Sequence, residues 1–203
     1  MNRGPLAAFH RANTLTYLSL FSGVAAIAAA SHGNGAAAGA LIALSVIADT
    51  FDGRFARLFE RSDDDRRIGM QLDSLSDAIA FGAAPAASFV LLAPRGSGVI
   101  EVASWTAVGV FAACAIARLA FYNVTHEWRV HEADGFVGLP APVAALLWSS
   151  LWLANPGPAT SVAVLLAIAV GMILPVRIPR PRGAALALFA LWPVSVVIVY
   201  VLL

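Results

Sequence analysis

An all-α bundle of membrane-spanning helices, with about six to eight spans, is the fold this sequence predicts. Hydrophobic residues make up 60% of its 203 positions, and only 12% are charged. Soluble domains carry about 25% charged residues, and a mean hydropathy of +0.79 is far outside that class. The apolar residues fall into long stretches separated by Gly- and Pro-rich breaks. The chain has no lysine, and all its arginines but Arg95 fall in alternate intervening segments. That asymmetry is the positive-inside pattern of a polytopic protein with its N-terminus in the cytoplasm.

A helix needs about 20 apolar residues to cross the hydrocarbon core. Candidate spans lie near 14–31, 36–58, 70–93, 98–121, 139–155, 159–176 and 184–203. Breaks at Ser31-His-Gly-Asn-Gly35, Pro94-Arg-Gly-Ser-Gly98, Asn155-Pro-Gly-Pro158 and Pro179-Arg-Pro-Arg-Gly183 carry turn-forming residues. The first twelve residues, with Phe9, His10 and Arg11, suit a short amphipathic helix lying along the interface. They are too polar for a cleaved signal, so the first span is expected to be retained. No long polar linker divides the chain, and residues 1–203 are expected to form one domain. The net charge of +1 predicts no nucleic-acid partner. Cys114 is the only cysteine, which excludes a disulfide framework.

Against this apolar background stand four carboxylates. The segment Asp49-Thr-Phe-Asp52-Gly53-Arg-Phe-Ala56-Arg57 is followed, after eleven residues, by Gly69-Met-Gln-Leu-Asp73-Ser-Leu-Ser-Asp77. Ionised groups at membrane depth are costly and mark function. Spacings of three and four place each pair on one helix face. Two such helices facing each other would gather four carboxylates at the cytoplasmic ends of spans 2 and 3. Carboxylate oxygens suit hard cations such as Mg²⁺ or Mn²⁺. Two ions can clamp the attacking and leaving oxygens of a phosphoryl transfer. Gly53 and Ala56 would let a phosphate or nucleotide approach the backbone, Gly69 would keep the next span's entrance open, and Arg57 could pair with phosphate. The simpler alternative is that each aspartate caps a helix or pairs with an arginine. Asp63, Asp64 and Asp65, beside Arg61, Arg66 and Arg67, are expected to be a solvated charge run in a loop.

These residues resemble the signature of the CDP-alcohol phosphotransferases. The resemblance implies a divalent-metal-dependent transfer of a phosphatidyl group from a CDP-linked lipid to an alcohol, with release of CMP. It implies Asp49, Asp52, Asp73 and Asp77 as metal ligands, with two ions, and Asp77 as general base. It places Gly53, Ala56, Arg57 and Gly69 along the CDP moiety. The family's usual gap between the Arg and the second Gly is eight residues; the three extra ones here fall in the charged loop at 58–68.

Further segments resemble the phosphatidylserine synthase branch: Leu72-Asp73-Ser-Leu-Ser-Asp77-Ala-Ile-Ala-Phe81-Gly82-Ala-Ala-Pro85, Arg118-Leu-Ala-Phe-Tyr-Asn123 and Phe136-Val-Gly138-Leu139-Pro140-Ala-Pro142. This implies CDP-diacylglycerol and L-serine as substrates, in a homodimer among membrane lipids. Phe121 stands where that branch commonly has a second Arg, and Ala80 where it commonly has Ser. A serine acceptor needs a cation for its carboxylate, and Arg118 is the candidate. A bare snorkelling role is the alternative for Arg118. Arg177, Arg180 and Arg182 suit anchors at the inner face or contacts with lipid phosphate. His126 and His131 are weak ligand candidates in the expected loop at 122–138. The rival functions are the same chemistry on glycerol phosphate, an inositol phosphate or choline, and a cation transporter using the aspartates as its path. A transporter should hold them near the bilayer midplane. The expected location is a prokaryotic cytoplasmic membrane, with the active site facing the cytoplasm.

Overall fold

The first break works as its residues dictate. Gly33 takes a φ of 73°, which only glycine adopts freely. Asn34 Oδ1 then accepts from the Ala37 N–H at 2.9 Å and caps the next helix. The computed structural model, which describes residues 4–92, 98–128, 135–179 and 183–202, thus begins as a helical hairpin. Two 3-10 turns, Pro5–Phe9 and Arg11–Asn13, lead into α1 (Thr14–Ser31), which packs along α2 (Gly35–Ala56). Both helices bury small residues, Gly23, Ala26 and Ala30 on α1 and Ala38, Gly39 and Ala43 on α2, which permit close packing of the bundle.

The third helical run is continuous from Asp63 to Leu92. It comprises α3 (Asp63–Asp77), a π-helical segment at Ala78–Ala83 and α4 (Ala84–Leu92). Its start corrects the expectation for 63–65. Ser62 and Asp65 form a reciprocal capping box, and all three aspartates occupy the first helical turn. Carboxylates there face the positive end of the helix dipole, so charge that reads as a loop initiates a helix. Gly23 packs against the π segment so closely that a Cβ would stand 2.7 Å from Ala80 Cα.

The fourth run, α5 (Val99–Trp128), extends past the expected end at 121. Residues 122–128 contain no Gly or Pro to stop it, and the Asn123 side chain is tied to α3. Helix α6 (Ala141–Trp152) and α7 (Pro158–Ile173) follow, and α8 (Ala184–Leu202) completes the described chain. A two-stranded antiparallel ribbon, which an all-α reading omits, pairs β1 (Gly135–Val137) with β2 (Arg177–Pro179). Gly138, at φ 74°, continues the tie by donating to Val176 O at 2.9 Å.

Among the described residues, four helices are long and apolar enough to cross a membrane: Arg11–Ser31, Gly35–Ala56, Asp63–Leu92 and Val99–Thr125. The apolar helices Ala141–Trp152, Pro158–Ile173 and Ala187–Leu202 are shorter. At 1.5 Å per residue, a 12-residue helix such as α6 reaches about 18 Å, against about 30 Å of hydrocarbon. Helix α6 is largely buried between two apolar cores. One joins α1, α2, the π segment and α8; the other joins α4, α5 and α7 around Phe89, Phe111 and Trp148.

Candidate active site

Helix α2 carries Asp49 and Asp52 in its last two turns, and α3 carries Asp73 and Asp77 in its last two. The helices bring one carboxylate oxygen from each of Asp49, Asp52 and Asp73 within 4.8 Å of one another. Asp77 lies within side-chain hydrogen-bonding reach of Asp49, and Asp73 of Asp52. Among the described residues, none of the four makes an ion pair with an arginine; Arg66–Asp63 is an exposed pair at 4.0 Å away from the cluster. The capping-and-pairing alternative therefore does not describe these four. Like charges this close repel until a cation or protons neutralise them. An all-oxygen donor set fits a hard divalent ion, and Asp49, Asp52, Asp73 and Asp77 are the residues that could hold it.

Asp52 is steadied by Thr16, whose hydroxyl donates to Oδ2 at 3.1 Å. Beside it opens a cavity of about 130 Å³ lined by residues from the N-terminal turn, α1, α2 and α3. Gly53, Ala56 and Gly69 line it together with Asp52 and Asp73, so the small residues singled out by spacing share one hollow with two of the carboxylates. Arg57 does not line it. It is exposed and forms the C-cap of α2. Arg61 and Arg66, from the charged loop and first turn of α3, do line it, as do Asn13 and Thr16. Sequence reasoning missed these four. The available signal was Asn13-x-x-Thr16, two polar residues one helical turn apart at the head of an apolar span.

Arg118 is carried on α5, facing the cluster. It is only 6% exposed, and Asp77 lies within its electrostatic reach. Its guanidinium carbon sits 5.1 Å from the centre of the Tyr122 ring. Its Nε is buried without a hydrogen-bond partner among the described residues. A snorkelling arginine would extend its head to water; this one is enclosed. Asn123 Nδ2 donates to Ser74 Oγ at 2.8 Å and ties α5 to α3 between Asp73 and Asp77. His126 lies in the last turns of α5 rather than a loop, and His131 lies outside the described residues, as do Arg180 and Arg182. Arg177 is exposed on β2.

Carboxylates from two helices of an apolar bundle thus converge beside a hollow of small residues, an arrangement that fits one enzyme family. The chain belongs to it: the CDP-alcohol phosphatidyltransferase family model matches residues 9–176. Its membrane-length apolar helices make it an integral membrane protein. It is 32% identical over 197 residues to a Mycobacterium bovis protein named CDP-diacylglycerol–serine O-phosphatidyltransferase, covering 86% of this chain and 65% of that protein. It is 34% identical over 170 residues to archaetidylserine synthase of Methanothermobacter thermautotrophicus, covering 83% and 69%. A Saccharomyces cerevisiae protein with the serine transferase name is 35% identical over 111 residues, covering 52% of this chain and 37% of that protein. The chain thus spans about two thirds of the length of the Mycobacterium relative and less of the yeast one.

Proposed function

We propose that this protein transfers the phosphatidyl group of CDP-diacylglycerol to L-serine and releases CMP. The observation that carries this reading is the meeting of the α2 and α3 carboxylates beside a cavity lined by Gly53, Ala56 and Gly69. The buried, unpaired Nε of Arg118 favours an acceptor that brings its own carboxylate. The names of the relatives agree with serine.

In this scheme Asp49, Asp52, Asp73 and Asp77 would hold two Mg²⁺ or Mn²⁺ ions. When bound, such ions neutralise the diphosphate and polarise its phosphorus–oxygen bond. Gly53 and Ala56 let the nucleotide lie against α2, and Gly69 does the same on α3. Arg118, its guanidinium beside the Tyr122 ring, binds the serine carboxylate. Asp77 takes the proton from the serine hydroxyl. The hydroxyl oxygen then attacks the lipid-linked phosphorus, the bond to the second phosphate breaks, and CMP leaves. Arg57, exposed at the end of α2, would meet phosphate only at the rim.

With the residues that flank them, the shorter apolar helices would bring the bundle to six to eight spans within a single domain, residues 1–203, that works as a homodimer. The arginine distribution supports a carboxylate cluster on the cytoplasmic side, in this reading of a prokaryotic membrane. Lipid then enters sideways from the inner leaflet.

The deciding experiment is CMP release from CDP-diacylglycerol by the purified protein with Mg²⁺, comparing L-serine, glycerol phosphate, inositol phosphate and choline. Serine-dependent release is expected. Release with another alcohol alone would move the protein to that branch, and Phe121 would be the first residue to examine. Cysteine labelling of intact cells in a Cys114→Ser background tests topology. A cysteine at position 64 that reacts from outside would overturn the orientation.

A further inference from the structure

A serine or threonine inside a helix can spend its hydroxyl proton on the carbonyl three or four residues back. Ser45, Thr50 and Ser150 do so here, donating to Ile42 O, Val46 O and Leu146 O at 2.7, 2.7 and 2.8 Å. Ser19, in α1, does not. It is 1% exposed, and its Oγ has no hydrogen-bond partner among the described residues. A buried hydroxyl left unpaired is unfavourable, so its position calls for an explanation. The register of the first hairpin supplies one. Helices α1 and α2 run antiparallel, and Thr16 Oγ1 meets Asp52 Oδ2 across them. One turn further along α1 and one turn back along α2, the same stagger sets Ser19 opposite Asp49. The third helical run closes the other side. Ser76 Oγ donates to Thr16 O, and Gly23 packs on Ala80, so Ser19 is flanked by the stretch that contains Asp77. The unpaired hydroxyl therefore stands at the level of Asp49 and Asp77, as Thr16 stands at the level of Asp52.

We propose that Ser19 is a positioning residue for the divalent-ion site, its hydroxyl donating to Asp49 when that carboxylate holds an ion. The inference rests on the metal reading of the cluster above. A ligating carboxylate gives one oxygen to the ion and leaves the other to be held by a donor. Such partners fix the ligand's orientation and strengthen binding. Asp52 already has its donor in Thr16. Asp49 has another carboxylate, Asp77, within side-chain hydrogen-bonding reach, and an ionised carboxylate gives no hydrogen bond. Ser19 is a donor at the right level with its proton unspent. Left unpaired, the hydroxyl makes the ion-free protein less stable; paired, it makes the loaded protein more stable. The affinity of the site is tied in this way to one atom on a helix that carries none of the four carboxylates.

The test is Mn²⁺ titration of the full chain in detergent, read from the electron paramagnetic resonance of free Mn²⁺. Thermal unfolding is measured beside it, in EDTA and in saturating Mn²⁺. Ser19→Ala should raise the Mn²⁺ dissociation constant about tenfold, the lower end of what partners of metal ligands contribute. In EDTA its unfolding midpoint should equal or exceed that of the wild type, since alanine loses no bond there. Ser19→Cys, of nearly the same shape with a weaker donor, should also weaken Mn²⁺, and it decides alone if the alanine variant does not fold. Wild-type Mn²⁺ affinity in the deciding variant overturns the proposal. So does an unfolding midpoint that drops as far in EDTA as in Mn²⁺, because that marks a packing role. Wild type that binds no Mn²⁺ removes the metal reading itself. Mn²⁺ binding that Asp49→Asn weakens and Ser19→Ala leaves alone removes only the role of Ser19.

Discussion

Near its Gly39 end, α2 meets α6 and α8 in a closed set of hydrogen bonds. Ser149 Oγ donates to Gly39 O at 2.9 Å, and Tyr200 donates to Ser149 O at 2.6 Å. From the next residue of α6, Ser150 Oγ accepts from Trp192 Nε1 at 3.0 Å. Every group named there is served from within the chain. At the other end of the same helix, Asp49 and Asp52 face Asp73 and Asp77 with no arginine paired to any of them among the described residues. Burial alone does not separate the two ends. The first is complete as folded, and the second is complete only with something added. Polar groups in an apolar bundle that satisfy one another hold helices together. Polar groups that repel one another are retained for what they bind.

The contrast is broken most severely by altering the incomplete end. Asp73→Asn or Asp49→Asn should abolish serine-dependent CMP release and weaken Mn²⁺ binding. A loss above about 100-fold is expected, since even the outer partners of metal ligands are worth about 10- to 100-fold. Asp64→Asn, exposed in the first turn of α3, should do neither. Near-normal turnover in Asp73→Asn would show that the cluster is not a metal site. Removing divalent ions with EDTA should stop activity, and Mg²⁺ should restore it.

Arg118→Ala comes next. The apparent KM for serine should rise roughly 10- to 150-fold, as loss of a charge-assisted hydrogen bond costing about 1.5–3 kcal/mol implies. CDP-diacylglycerol saturation should barely move. Arg118→Lys should rescue only part, because an ammonium lacks the planar fork. Equal effects on both substrates would make Arg118 a structural residue.

The complete end should respond in stability instead. A Cβ at Gly39 would collide with the Tyr200 ring, so Gly39→Ala should lower stability in detergent by about 1–3 kcal/mol through overpacking. Tyr200→Phe removes one buried hydrogen bond and should cost about 0.5–1.5 kcal/mol. Thermal unfolding in detergent measures both, and the KM for serine should stay put. A rise in that KM for Tyr200→Phe would mean the two ends are coupled.

The legible part of the molecule is what local pattern determines. Apolar runs and Gly/Pro breaks locate the first four long helices to within a few residues, except where polar sequence continues a helix. Residues 122–128 look like a loop because they are polar, yet nothing in them ends a helix. Asp63–Asp65 look like a loop because they are charged, yet three carboxylates in a first turn favour one. The ribbon joining 135–137 to 177–179 has strands too short to show an alternating period. Asp49, Asp52 and Asp73 were legible as a group because each helix places its own pair on one face. Asn13 and Arg61 were not, since their meeting at Gly69 depends on how three separate segments pack.

The π-helical segment at Ala78–Ala83 follows directly on Asp77 and is gripped by Gly23. Its i→i+5 turns accommodate a residue that regular α-helix would not. It therefore sets the angular phase between two halves of one rod. Upstream, the phase aims Asp73 and Asp77 at α2; downstream, it aims Ala84 and Phe89 into the apolar cores. Removing a single residue from 78–83 would leave an unbroken and even more regular helix. It would keep nearly the same phase, because the wide turn is what absorbs the extra residue, whereas a residue lost from the regular α-helix on either side would turn the carboxylates by about 100° relative to that apolar half. Chain length is therefore a functional variable along the regular parts of this rod, whereas the π segment, like the loop at 58–62, can lose a residue with little rotation of what lies beyond it.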